Sequence, residues 1–390
     1  MRIEPVVGIQ PTILQWARES LGMSVEDVAL KLKRSPEEIL AWESGAASPT
    51  YVQLEALAYN VFKRPLAVFF LPKPPEETTP TQEFRTLPDT DLENLHADTY
   101  LKIRRAQAYQ LTLKELFEGR NPSNHGLWRE IRLTTEKPVD EQAQVIRLAL
   151  GISLEQQTAW KTAEVALKVW REVIEQAGIF VFKASFKQKE ISGFCLRDAE
   201  FPVIYLNNST TKTRQIFSLL HEVAHLLFNL NGISKIDENY VQQLPSWERR
   251  IEQFCNRIAA EVLIPSQDFA AQIHGFPRNA EAVPDHLFAA VAGRYGVSRE
   301  TILRRLLDLG RVGKRFYEQK AKLWASQKSE SGGGNWYASQ KTYLSDRFAH
   351  EVLRRYYRNQ LSVEQAADFL GIKTRNFAGL EQQILQGSTA

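Results

Sequence analysis

The stretch Ile216-Phe-Ser-Leu-Leu-His-Glu-Val-Ala-His-Leu-Leu-Phe228 decides how the rest of the chain is read. A helix drawn through it is apolar on almost every side, so it is expected to be buried. Buried polar groups need partners, and this helix carries His221, Glu222 and His225. Residues four apart stack on one helix face, so both imidazoles can reach one ion. Glu222 sits about 100° round, where its carboxylate can hold a water on that ion without becoming a ligand. Two core histidines satisfied without metal are the alternative. An acid between them in so apolar a helix favours the metal.

A catalytic zinc takes a third protein ligand and keeps one position open for water. The next amphipathic stretch, Trp247 to Pro265, offers Glu248, Glu252 and Glu261. Glu252 lines up with Cys255, Asn256, Ala259 and Leu263 beside the buried stripe, which makes it the expected third ligand. Glu248 lies nearer the frayed start, and Glu261 falls on the opposite side and is expected to be solvated. Asn256, one turn beyond Glu252, is placed to hydrogen-bond a ligand from behind. Cys255 could ligate a soft metal or fill space as a small hydrophobe. Zinc is the expected ion, with manganese the alternative, since two histidines and a carboxylate also suit harder ions.

Around this core the pattern predicts strands at 178–183, 191–196 and 202–206, bounded by Gly, Asp and Asn. Helical spacing covers 100–118, 139–149, 163–177, 211–230, 247–264 and a pair within 285–310. An extended peptide would add most simply as a strand beside 202–206. The expected class is α+β, mostly helical, with a small antiparallel or mixed sheet.

The N-terminal part is a separate unit. Ser24 with Asp27, then Ser35 with Pro36, mark helix starts, and Gly45 marks a stop. Short helices and tight turns over 11–71 have the grammar of a helix-turn-helix module. A Pro-rich linker (72–90), a helical connecting region (91–160), the metal-binding domain (161–310), a basic and Gly-rich linker (311–334) ending in Ser331-Gly-Gly-Gly334, and a helical region (335–390) complete the division.

The chain has 390 residues, 43% of them hydrophobic and 24% charged, which is globular composition. Mean hydropathy is −0.34, and no long uncharged apolar run suits a membrane partner. No secretory leader is read at the start, so a cytoplasmic location is expected. Cys195 and Cys255 form no CxxC pair or disulfide framework. The net charge of +3 gives no bulk case for nucleic acid. Oligomeric state is left open.

The run Val203 to Phe228, with Arg214 ahead of His221-Glu-Val-Ala-His225, followed by Glu252-Gln-Phe-Cys-Asn-Arg-Ile-Ala-Ala-Glu-Val-Leu-Ile-Pro265, resembles the ImmA/IrrE family of metallopeptidases. Val223 and Ala224 stand where that family commonly has Leu and Gly. The resemblance covers residues 175–310 and implies zinc on His221, His225 and Glu252, with Glu222 as general base. It further implies a zinc-dependent endopeptidase that cleaves a helix-turn-helix transcriptional repressor. The rival reading is a DNA- or protein-binding regulator, or a toxin–antitoxin component, whose peptidase-like domain is a scaffold.

Leu21-Gly22, Val28-Ala29, Ile39, Trp42-Glu-Ser-Gly45 and Pro49 resemble an XRE-type helix-turn-helix. In such modules the third helix enters the major groove. The DNA-facing candidates here are Lys31, Lys33, Arg34, Ser35 and Glu38. Against that role, the third helix presents Glu37 and Glu38 and no Arg, Asn or Gln, and residues 1–72 carry seven bases and eight acids.

Overall fold

The computed structural model describes residues 4–77, 83–84, 86–326 and 336–386. Over these the protein is α+β, mostly helical, with a small mixed sheet. Its strands are β1 (Phe180–Ala184), β2 (Ile191–Leu196), β3 (Val203–Asn207) and β4 (Gly232–Lys235), in the order β1-β3-β2-β4. β1 and β3 run parallel, while β2 is antiparallel to both β3 and β4.

Alternation sorts the side chains between two covered faces. Val181, Cys195, Ile204 and Leu206 enter the main core. Phe182 stacks on Tyr109 at 3.9 Å, Phe194 stacks on Tyr205 at 5.3 Å, and Phe348 meets Phe182 edge-on at 5.4 Å. A sheet buried on both faces gives the near-continuous apolar runs by which three strands are legible.

β4 departs from the expected pattern. It is only four residues long, and its Ser234 and Lys235 break the apolar alternation. β3, expected to offer a free edge to a peptide, lies inside the sheet between β1 and β2. β4 is the terminal strand of the sheet, next to β2.

The histidine helix spans Lys212–Leu227, and the Thr211 hydroxyl caps it by accepting the Arg214 N–H at 3.3 Å. The glutamate helix spans Ser246–Leu263 and packs against it, with Ala224 and Ala259 fully buried. Glu261, expected in solvent, is buried instead. Pro265 ends the helix and folds Ser266 back, so that the Ser266 N–H and hydroxyl each donate to Glu261 at 2.6 Å. Arg305 from the helix Arg299–Asp308 closes the pair at 2.6 Å. Helix-wheel spacing cannot foresee a cation delivered by a later helix.

The described chain divides into two compact units, one of residues up to Arg105 with Phe186–Gln188 and one of the remainder. In the first, helices Pro11–Glu19, Val25–Leu32, Pro36–Ser44 and Tyr51–Glu55 enclose a core that includes Leu14, Val28, Ile39, Trp42 and Leu57. The capping box of Ser24 and Asp27 is formed, and Gly45 takes the left-handed conformation (φ 79°) that ends the third helix.

In the second unit, the basic stretch expected to be a connector folds in part. Lys314–Ser326 is a helix, and its Trp324 is buried, with its indole N–H donating to Asp285 at 2.9 Å. Ser331-Gly-Gly-Gly334 lies outside the described residues. The C-terminal region follows as helices Trp336–Tyr343, Asp346–Tyr357, Val363–Phe369 and Phe377–Gln386. No helix among the described residues is long and apolar enough to cross a membrane.

Candidate metal centre

Because His221 and His225 are one helical turn apart, their Nε2 atoms face each other at 2.9 Å. Glu252 on the neighbouring helix reaches both, with Oε2 at 3.4 Å from His221 Nε2 and Oε1 at 3.1 Å from His225 Nε2. The three donor atoms lie within 4.8 Å of one another, and all three residues are buried. Of the described residues, these are the ones that form such a group of His, Cys, Asp or Glu.

The electrostatics make Glu252 an anionic donor. Burial alone would raise its carboxyl, yet His225 and His221 hold it at about 2. Burial also works against a charged His225, but Cys255 and Glu252 more than offset it and hold its imidazolium well above the ordinary value. Glu252 Oε1, Glu222 Oε2 and His221 Nδ1 are buried without hydrogen-bond partners among the described residues. Two imidazoles and a carboxylate converging in a buried pocket, with Glu252 Oε1 orphaned there, are the donor set that a divalent ion satisfies. The residues fit the ion that the sequence implies.

Glu222 is fully buried and accepts a hydrogen bond from the Ser234 hydroxyl of β4 at 2.6 Å. Tyr240 donates its hydroxyl to Glu252 Oε2 at 3.1 Å. Cys255 lies behind the cluster, with its sulfur 3.7 Å from His225 Nδ1, the ring nitrogen turned away from Glu252. It is therefore a neighbour of a donor and stands outside the three-donor group. Asn256 lines a polar cavity of about 10 Å³ beside His221, with Ser192, Arg214 and Ser234. That is room for about one water. Among the described residues, Asn256 makes no hydrogen bond to the three donors.

Arg214 ties the start of the histidine helix to β4, donating to the carbonyls of Lys235 at 3.2 Å and Ile236 at 2.9 Å. Gly232, at the head of β4, escapes sequence reasoning and is where the strand presses closest on the cluster. A Cβ there would stand 2.6 Å from His225 Cδ2 and 2.9 Å from Glu222 Oε2. A signal exists, since a glycine close after the Asn229 turn marks a close backbone approach. Gly232→Ala should weaken metal retention about tenfold to a hundredfold, the cost of moving a group that orients a ligand. Chelator competition on the folded variant measures it, and an unchanged metal affinity contradicts this close-packing role.

In the first unit, Arg34, Ser35 and Glu38 of the five DNA-facing candidates have local side-chain partners, while the side chains of Lys31 and Lys33 are exposed. Lys33 is the left-handed residue (φ 57°) ending the second helix, and the Ser35 hydroxyl caps the third by accepting the Glu38 N–H at 3.3 Å. Arg34 pairs with Glu38 at 3.9 Å, and Glu38 also accepts from the Gln53 amide at 3.1 Å. Lys31 is exposed.

No curated protein matches the chain. Residues 174–307, which carry the sheet, both site helices and all three converging donors, match the family model Peptidase_M78, the IrrE N-terminal-like domain, so this part of the chain is metallopeptidase-like.

Proposed function

We propose that residues 174–307 form a zinc-dependent endopeptidase domain whose substrate is a protein, a helix-turn-helix transcriptional repressor by the resemblance to the ImmA/IrrE family. The observation that carries this reading is the convergence of His221, His225 and Glu252 within 4.8 Å. A bound zinc would supply Lewis acidity, polarising the scissile carbonyl and bringing a water's pKa toward about 7.

The chain's own groups do the rest. His221, His225 and Glu252 bind, and Tyr240 orients the Glu252 carboxylate. Glu222 takes the water proton and returns it to the leaving amine. Ser234 fixes one Glu222 oxygen by its 2.6 Å hydrogen bond and leaves Oε2 for the proton.

Metal analysis of the purified chain should find one ion, zinc or manganese, with its anomalous-scattering peak between the histidine and glutamate helices. An ion-free protein that stays ion-free after incubation with zinc would sink the proposal, as would full binding by H221A/E252A.

The N-terminal unit we read as a docking module in preference to a base reader. Its third helix exposes Leu40 (52% exposed) beside Glu37, and Ser35 and Glu38 are engaged in capping and side-chain pairing. Duplex DNA fragments should therefore not be retained at about 50 mM salt, where phosphate contacts are strong. A gel shift there that K31A/K33A/R34A abolishes would reverse this reading.

A further inference from the structure

Away from the cluster, the second unit contains a cleft of about 510 Å³ bordered by Trp128, Arg129, Arg132, Arg197, Asp198 and Asn229. The acid that borders it, Asp198, and its neighbour Glu200 are already used. Asp198 pairs with Lys114 at 2.7 Å and also accepts the N–H groups of Glu200 at 2.9 Å and Phe201 at 3.0 Å. Glu200 pairs with Arg129 at 2.6 Å. Arg129 in turn lies over the Trp128 ring at 5.0 Å and donates to the Ala199 carbonyl. The guanidinium groups of Arg132 and Arg197 are exposed and make no hydrogen bond or ion pair among the described residues. Two cations at one cleft with their local acids consumed form an anion site waiting for its charge.

We propose that the cleft between Arg132 and Arg197 binds a small phosphate-bearing anion. Guanidinium forks match phosphate oxygens two at a time, and two of them suit a ligand with adjacent phosphates. The volume falls within the range of small-molecule sites and is too small for a folded partner. Trp128 is buried and packed under Arg129, so the ligand is held by its charge, with no aromatic face for a base to stack on. The cleft also touches the machinery of the neighbouring centre. Asn229, left-handed at φ 61°, begins the turn from the histidine helix to β4, and two residues on Asn231 accepts the Arg197 N–H at 2.7 Å. The same turn fixes Leu230, whose N–H donates to the His225 carbonyl at 3.0 Å. An anion there sits on the segment that sets Gly232 against His225 and Glu222.

The test uses the full chain and inorganic triphosphate, titrated calorimetrically at low salt, and does not depend on peptidase activity. R132A/R197A should lose about tenfold or more in affinity, while K137A/K161A, equal in charge change and outside the lining of the cleft, should bind as wild type. Absence of binding to the wild type overturns the proposal, as does equal binding by R132A/R197A. Citrate or a short duplex DNA binding more tightly than triphosphate would overturn the assignment to a small phosphate ligand.

Discussion

Glu222→Gln should keep the metal and lower turnover about a hundredfold to ten-thousandfold, the range spanned by loss of a general base. Glutamine has the shape of glutamate and can still accept from Ser234, so the 2.6 Å contact that positions residue 222 survives. It cannot take a proton at Oε2, the atom left without a partner in the buried pocket. His221, His225 and Glu252 are untouched, so metal content should match that of the wild type. The measurement is cleavage of a repressor that the wild-type chain cuts, followed by gel, with metal analysis of the same samples. Unchanged cleavage by the variant would end the role of Glu222. Loss of the ion along with the activity would show instead that Glu222 is part of the binding set.

That experiment turns on residues that the sequence exposes unusually well. The four-residue spacing of His221 and His225 sets their common face without help from any tertiary contact, because helical periodicity is local. Glu252 is reachable too, since the amphipathic stripe of its own helix leaves one acid at the buried border. What stays hidden is set by other elements. Glu261 looks solvated because nothing in its helix announces Ser266 and Arg305, which the chain brings back around it. β4 is too short and too polar for a period-two signal, and its importance comes from pressing Gly232 on the cluster. The interior place of β3 is a matter of strand order, which apolar alternation does not encode. In the first unit the helix caps at Ser24 and Ser35 are legible for the reason His221 and His225 are: cap and partner lie three residues apart.

Lys183→Met should make the chain more stable at pH 7, by about 3 kcal/mol, and should remove most of its gain in stability between pH 7 and 10. Lys183 is 4% exposed on β1, and its amine lies 3.5 Å from Gln215 Oε1, a long contact that does little to hold a charge. Burial pulls its pKa from 10.5 to about 6, with Arg171 and Lys212 pushing the same way and Asp346 opposing. The unfolded chain keeps this amine protonated up to about pH 10, while the folded chain releases the proton near 6. Between those values the unfolded state binds more protons, so stability rises with pH and the burden is full below about 6.

Nearby Glu175 acts in a different window. Burial raises it from 4.5 to about 7, against the pull of Arg171, so the folded chain binds more protons between those values and stability falls there as pH rises. Above pH 7 that contribution is nearly constant, which leaves Lys183 as the changing one of the two. Methionine fills the stem volume without a charge to desolvate, and Gln215 keeps its donation to the Thr210 carbonyl at 2.8 Å. Denaturant midpoints at pH 7 and pH 9.5 for both proteins read the effect. If the variant is less stable at pH 7, or keeps the wild-type rise, Lys183 is carried as an ammonium in the fold and its charge is matched by a partner.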